Sequence, residues 1–216
     1  LIVRIPEHKR EEAAFNLRNL WDETRAAFTW LGQNTFVRNL ILTVLAFYLC
    51  FTPFNALEPL FVTNHLDAGP ALYGFLDAAF GLGAILGGVL MGIWGGFKKN
   101  VQTVMLGIGL QGVGLLAHSV STPGLWWLAA LGFVLAGAMF PIINGPFYAL
   151  LQTRVEAGLQ GRIFALLNSA SSAIGVLALL LIGPLADAFS VRLIYIVVSV
   201  GMLLVAGVGV VWLREE

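Results

Sequence analysis

Two carboxylates stand where a carboxylate is costly. Glu58 lies in "FTPFNALEPLFV" and Asp77 in "YGFLDAAFGLGAI", each inside a long apolar run. An acid withdrawn from water must pair, face a wet cavity or take up a proton. Within membrane-spanning segments such acids mark ion or proton paths. Counted at about 1.5 Å per residue from the connector between their segments, Glu58 and Asp77 are expected at one depth on neighbouring antiparallel helices. A shared cavity would couple their titrations. Two readings stand: candidate proton-coupling groups, or solvated acids and helix caps in an outer vestibule.

Other polar and aromatic residues fall in the same apolar runs. Phe47, Tyr48, Phe51, Phe54, Phe140, Phe147 and Tyr148 cluster on two segments. They serve either as lipid contact and packing or as the wall of a pocket for a bulky apolar substrate. Asn144 precedes Gly145 and Pro146, a pair expected to kink its helix and free a carbonyl. Phe51, Phe54, Asn55, Asn144, Phe147, Tyr148 and Asn168 are therefore the candidate substrate cavity. Asn and Ser within spans also bond between helices, which is the competing role for Asn144, Asn168, Ser169, Ser171, Ser172 and Gln111. His118 falls near an outer helix end and is expected to be solvated. Trp126 and Trp127 suit an interfacial anchor.

Other chemistry is excluded by motif. There is no Walker A sequence, no His-Glu-x-x-His and no Gly-x-Ser-x-Gly. The single cysteine, Cys50, sits in an apolar run and supplies neither a disulfide framework nor a Cys-based metal site. No enzyme, metal or cofactor is expected. The formal net charge of zero gives no footprint for a nucleic acid. Energy for any transport must come from an ion gradient, with the proton as candidate, or from a partner.

These residues need elements to hold them. The chain is 58% hydrophobic and 11% charged, against about 25% charged in a soluble domain. Six segments reach the roughly 20 apolar residues that cross a bilayer: about 39–63, 71–95, 101–119, 125–150, 163–184 and 191–213. The fold class is an all-α membrane protein. Threading six spans places eleven of the twelve Lys and Arg on one side. These are Arg4, Lys9, Arg10, Arg18, Arg25 and Arg38 in the leading segment, then Lys98 and Lys99, Arg154 and Arg162, and Arg214. Arg192 alone falls opposite. The positive-inside rule then places both termini in the cytoplasm, in the inner membrane of the cell. Lys98, Lys99, Arg154 and Arg162 become candidate cytoplasmic gating loops. Residues 1–35 are expected to be a cytoplasmic linker, with 36–216 the transmembrane domain. In the linker, Leu17, Leu20, Trp21, Thr24, Phe28 and Leu31 recur at helical spacing. That amphipathic helix lies on the inner membrane surface or docks on the bundle. The first residues, "LIVRIPEHKREE", read as the trimmed end of an earlier membrane helix.

Internal repetition adds a constraint. "PFNAL" at 53–57 returns as "PFYAL" at 146–150. Asp77 precedes Gly92 by fifteen residues, as Asn168 precedes Gly183. These matches align spans one to three with four to six. Three is odd, so the second copy enters the membrane inverted, and inverted repeats are a transporter architecture with a site near the midplane. Within span two, Gly83, Gly87, Gly88, Gly92 and Gly96 give overlapping small-xxx-small spacings for close helix approach. Static packing and a sliding interface both use such a face.

The helix "GFLDAAFGLGAILGGVLMG", the stretch "QTRVEAGLQGRIFALLNS" and "GPLADAFSVR" resemble the macrolide-efflux and enterobactin-exporter branch of the major facilitator superfamily. The resemblance covers nearly the whole chain. It implies the C-terminal six-helix half of a transporter, partnered by an N-terminal six-helix half, with export of a small amphipathic drug or siderophore-like molecule. In one respect the chain departs: the loop from Gly92 to Lys99 lacks the Asp of the family's usual Gly-x-x-x-Asp-x-x-Gly-Arg motif. The alternative is a non-transporting membrane module, a degenerate half that binds a ligand or an assembly partner.

Overall fold

Glycine weakens a helix in water by about 1 kcal/mol relative to alanine, yet the glycine-rich spans here are unbroken helices. A backbone group with no water to bond must bond within its own helix. The computed structural model describes residues 17–213, and of residues 17–24 the backbone only. Residues 1–16 of the expected linker, with Arg4, Lys9 and Arg10, lie outside the described residues. So do Arg214 and the side chains of Leu17, Arg18, Leu20, Trp21 and Thr24. The described residues form α1 (Leu17–Gln33), α2 (Thr35–Asn64), α3 (Pro70–Trp94), α4 (Asn100–Ser119), α5 (Trp126–Arg154), α6 (Ala157–Ala188) and α7 (Val191–Trp212). A 3-10 turn at Pro123–Leu125 leads into α5.

Helices α2 to α7 are the six long and apolar enough to cross a membrane. Their bounds follow the apolar segments closely except at α6, which starts six residues earlier and ends four later than hydropathy alone marks. Hydropathy reports only the stretch that suits hydrocarbon, whereas helical bonding continues into the polar interface. Helix α1 packs against α2 and α6.

The pairing of helices is regular. Helix α3 packs on α5 as α6 packs on α2, and α4 packs on α5 as α7 packs on α2. Helices α4 and α7 pack on each other. Exchanging spans one to three with four to six maps each pairing onto another, which is the pattern an inverted repeat requires. Helices α3 and α6 hold only four buried residues each.

Glycines set the closest approaches. A Cβ on Gly83 would land on the Val134 carbonyl, one on Gly87 on the Ala138 carbonyl, and one on Gly137 on the Phe80 carbonyl. Gly88 and Gly92 face open space, so only part of the glycine stripe is a packing seam. The loop after α3 turns through Gly95 and Gly96, at φ 73° and 83°, a region that favours glycine. In place of the missing acid, the Thr103 hydroxyl accepts a 2.8 Å hydrogen bond from the Phe97 N–H and closes this loop.

Contacts at the two ends agree with the threading. On the expected outer side, His65 Nε2 lies 3.0 Å from the Ser121 carbonyl, joining the α2–α3 and α4–α5 connectors. On the expected inner side, the Arg154 guanidinium sits over the Phe36 ring at 5.1 Å. Reporter fusions after Asp67, Thr122 and Asp187 should accordingly read outside, and those after Lys99 and Glu156 inside. One reversed reporter would break this topology.

Candidate functional site

Helix α2 carries Glu58 with Pro53 and Pro59 on either side. Both the acid and His118 are placed by backbone proximity. Gly114 of α4 and Gly132 of α5 face each other so closely that a Cβ on either would strike the other's carbonyl, and one on Gly132 would also lie 2.8 Å from the His118 amide. This seam lays His118 flat on Phe133, with ring centroids 4.1 Å apart and planes 11° from parallel. His118 is fully buried, which corrects the expectation of a solvated side chain. A histidine one turn from a helix end looks exposed in one dimension, but the α4–α5 seam and the α2 crossing enclose it.

Glu58 is 4% exposed. Its partner is not Asp77. Oε2 lies 3.1 Å from His118 Nε2 and accepts a 3.1 Å hydrogen bond from the Tyr195 hydroxyl. Tyr195, fully buried on α7, shares its one proton with the Phe54 carbonyl at 3.2 Å. Three spans thus meet at one carboxylate oxygen. The other oxygen, Oε1, has no hydrogen-bond partner among the described residues.

The histidine's contacts define what the cluster can do. Nε2 faces the Glu58 carboxylate, and Nδ1 lies 3.4 Å from the Ala129 carbonyl. Both neighbours are acceptors, and a neutral imidazole has only one N–H. Two arrangements satisfy both contacts without moving a heavy atom. In one, an imidazolium donates from both nitrogens to a carboxylate and a carbonyl. In the other, a protonated Glu58 donates to Nε2 while Nδ1–H donates to Ala129. They differ by the transfer of one proton across 3.1 Å. The Phe133 face favours the charged ring. This is a proton-holding site.

Beside it is a cavity of about 50 Å³ between α2, α3 and α5. Glu58, Asp77, Asn55 and Tyr73 are its polar lining, and the rings of Phe51, Phe54, Phe80 and Phe133 are its walls. Asp77 and Asn55 are exposed at the cavity, so the two acids share a cavity while sitting in different surroundings. Of the candidate cavity residues, Asn144, Phe147, Tyr148 and Asn168 do not line this space. Asn144 bridges helices: Oδ1 accepts a 2.9 Å bond from the Tyr48 hydroxyl, and Nδ2 donates to the Phe140 carbonyl at 2.9 Å. Phe147 is fully buried, Tyr148 packs on Phe147 and Phe164, and Asn168 is exposed on α6. Lys98, Lys99 and Arg154 are exposed at the expected inner side, with Arg162 half-buried there.

Comparison with known proteins then places this arrangement. The Major Facilitator Superfamily model matches residues 40–216, all six spans included. The chain belongs to the major facilitator superfamily. Macrolide efflux protein A of Streptococcus pyogenes is 25% identical over 191 residues, 88% of this chain and 47% of the relative. Multidrug efflux pump Tap of Mycolicibacterium fortuitum is 27% identical over 158 residues, 72% of this chain and 37% of its own. The pump of that name from Mycobacterium tuberculosis is 33% identical over 150 residues, 68% and 34% of the two chains. The chain thus spans about half or less of these superfamily relatives. No solved structure matches it significantly.

Sequence reasoning missed His118 and Tyr195 as partners of Glu58. The available signal was depth: all three fall within two turns of the outer ends of α2, α4 and α7. Tyr195→Phe removes one of two donors to a buried carboxylate oxygen. It should lower the stability of the protein by about 1.5–3 kcal/mol, read as a lower thermal unfolding midpoint in detergent. An unchanged midpoint would mean that His118 alone supports Glu58.

Proposed function

We propose that this chain is the C-terminal six-helix half of a proton-driven exporter of amphipathic drugs or siderophore-like compounds. An N-terminal six-helix half supplies the facing wall, and both termini lie in the cytoplasm at the inner membrane. The observation that carries the reading is the Glu58–His118–Tyr195 cluster, fully packed within the bundle yet touching a cavity through Glu58. A buried acid with a ready proton partner and one unpaired oxygen is what a proton carrier needs. The efflux relatives support the direction of transport, and the little-buried α3 and α6 support a missing facing surface.

Lys98, Lys99, Arg154 and Arg162 serve the inner gate in this reading. The test is proton flux in vesicles holding the native protein against a panel of macrolides and other amphipathic compounds. Substrate-dependent proton entry coupled to substrate exit is the expected result. Substrate export insensitive to collapse of the proton gradient would overturn the coupling.

A further inference from the structure

The cavity beside the proton cluster has a lining that selects its ligand by chemistry. Three acceptors converge on it from two helices: Glu58 and Asn55 on α2 and Asp77 on α3. The Glu58 side chain is only 6% exposed, and its Oε1 lacks a partner. A buried carboxylate oxygen left unmatched is costly, so the site is built to receive a donor. No Lys or Arg lines the cavity to supply it.

We infer that this cavity binds the primary ammonium tip of an amphipathic amine. A primary ammonium carries three N–H donors in a compact charge, one for each acceptor. The remaining wall is aromatic, with Phe51 against Phe80 at 6.1 Å and Phe80 against Phe133 at 6.0 Å between centroids. Such faces attract a cation and accept its first carbons. A hard metal cation asks for a shell of oxygens instead, and half of this lining is hydrocarbon ring. Size narrows the class further. The cavity holds about 50 Å³, and a water molecule's share of liquid volume is about 30 Å³. An ammonium and its first carbon fit, whereas a quaternary head with four carbons does not. A neutral amide would leave a carboxylate unmatched. For its role in transport the site rests on the export reading, but binding itself needs no gradient.

The experiment uses the native protein in lipid nanodiscs, with empty nanodiscs subtracted. The probes are monodansylcadaverine, which ends in a primary amine, its N-acetyl form and its N,N,N-trimethyl form. The primary amine should bind about 10-fold tighter than either derivative. Asp77→Asn should remove that preference and Asp77→Glu should keep it, both at an unchanged unfolding midpoint, since Asp77 is exposed. Equal binding of primary and acetylated probes overturns the inference, as does equal binding of the trimethyl probe. An Asp77→Asn protein that binds like the parent overturns it too. Gradient-driven export of the acetylated probe, measured in parallel, separates the two readings. If it is exported without any amine preference in binding, the site inference alone fails. If nothing is driven while the amine preference stands, the export reading fails.

Discussion

Glu58→Gln in the native protein should cut gradient-driven export by about 100-fold, the scale on which a lost proton-transfer group is felt, while downhill substrate exchange continues. Glutamine keeps an oxygen for the Tyr195 hydroxyl to bond and nearly the same volume. It cannot take or release a proton, so neither of the two satisfied arrangements with His118 can interconvert. His118→Gln should uncouple in the same way, because an amide can bond to Glu58 without carrying its proton. Asp77→Asn should leave the driven export of neutral substrates largely intact, since Asp77 lies outside the hydrogen-bonded cluster. The groups facing Glu58 that could titrate with it are His118 on α4, Tyr195 on α7, and Tyr73 and Asp77 on α3. Helix α5 contributes the Phe133 ring to the cavity lining and no ionisable group. A Glu58→Gln protein, expressed at normal level, that still drives export with unchanged pH dependence would end the proton-carrier reading. Glu58 would then be a structural acid.

Why Glu58 could be singled out from sequence, and its partner could not, has a physical reason. Hydropathy and the Lys and Arg asymmetry are properties of segments, and segments determine the spans; the helix ends moved by only a few residues. The family could be read from contiguous stretches such as "QTRVEAGLQGRIFALLNS". Burial of a particular side chain depends on which faces meet, and that is a property of pairs of helices. His118 is enclosed because Gly114 and Gly132 let α4 and α5 approach, and neither glycine belongs to a conspicuous stripe. The stripe that was conspicuous, Gly83 to Gly96, is used at Gly83 and Gly87 and left open at Gly88 and Gly92. The repeat pointed at Asp77 through its match to Asn168, but the repeat has no counterpart for the Glu58 cluster. Glu58 aligns one residue beyond "PFYAL" with Leu151, a buried leucine. Chemistry placed in one copy of a repeat breaks the symmetry that reveals the repeat. It must therefore be found in the packed structure.

Gly87→Ala should remove most of the folded protein, and Gly83→Ala should do nearly the same. The added Cβ at Gly87 would fall on the Ala138 carbonyl and lie 2.6 Å from its Cα, and the one at Gly83 would fall on the Val134 carbonyl. These are backbone atoms. A side chain could rotate aside, whereas here a whole helix must move, and α5 is held on its far face by the Gly114–Gly132 seam. Overpacking a core costs about 1–3 kcal/mol when neighbours can adjust, so a clash with two carbonyls on a rigid helix belongs at or above the top of that range. The control lies on the same helix. Gly88→Ala and Gly92→Ala meet open space and should fold as well as the parent. Yield of monodisperse protein and the unfolding midpoint in detergent read both pairs. The same four variants decide what the stripe is for. If Gly88→Ala and Gly92→Ala fold normally and transport normally, the glycine face is a static seam between α3 and α5. If they fold normally but export slows, the open glycines face a surface that slides during the cycle. A Gly87→Ala protein with parental yield and midpoint would show that α3 and α5 do not approach as closely as described, and the cavity that depends on their spacing would go with it.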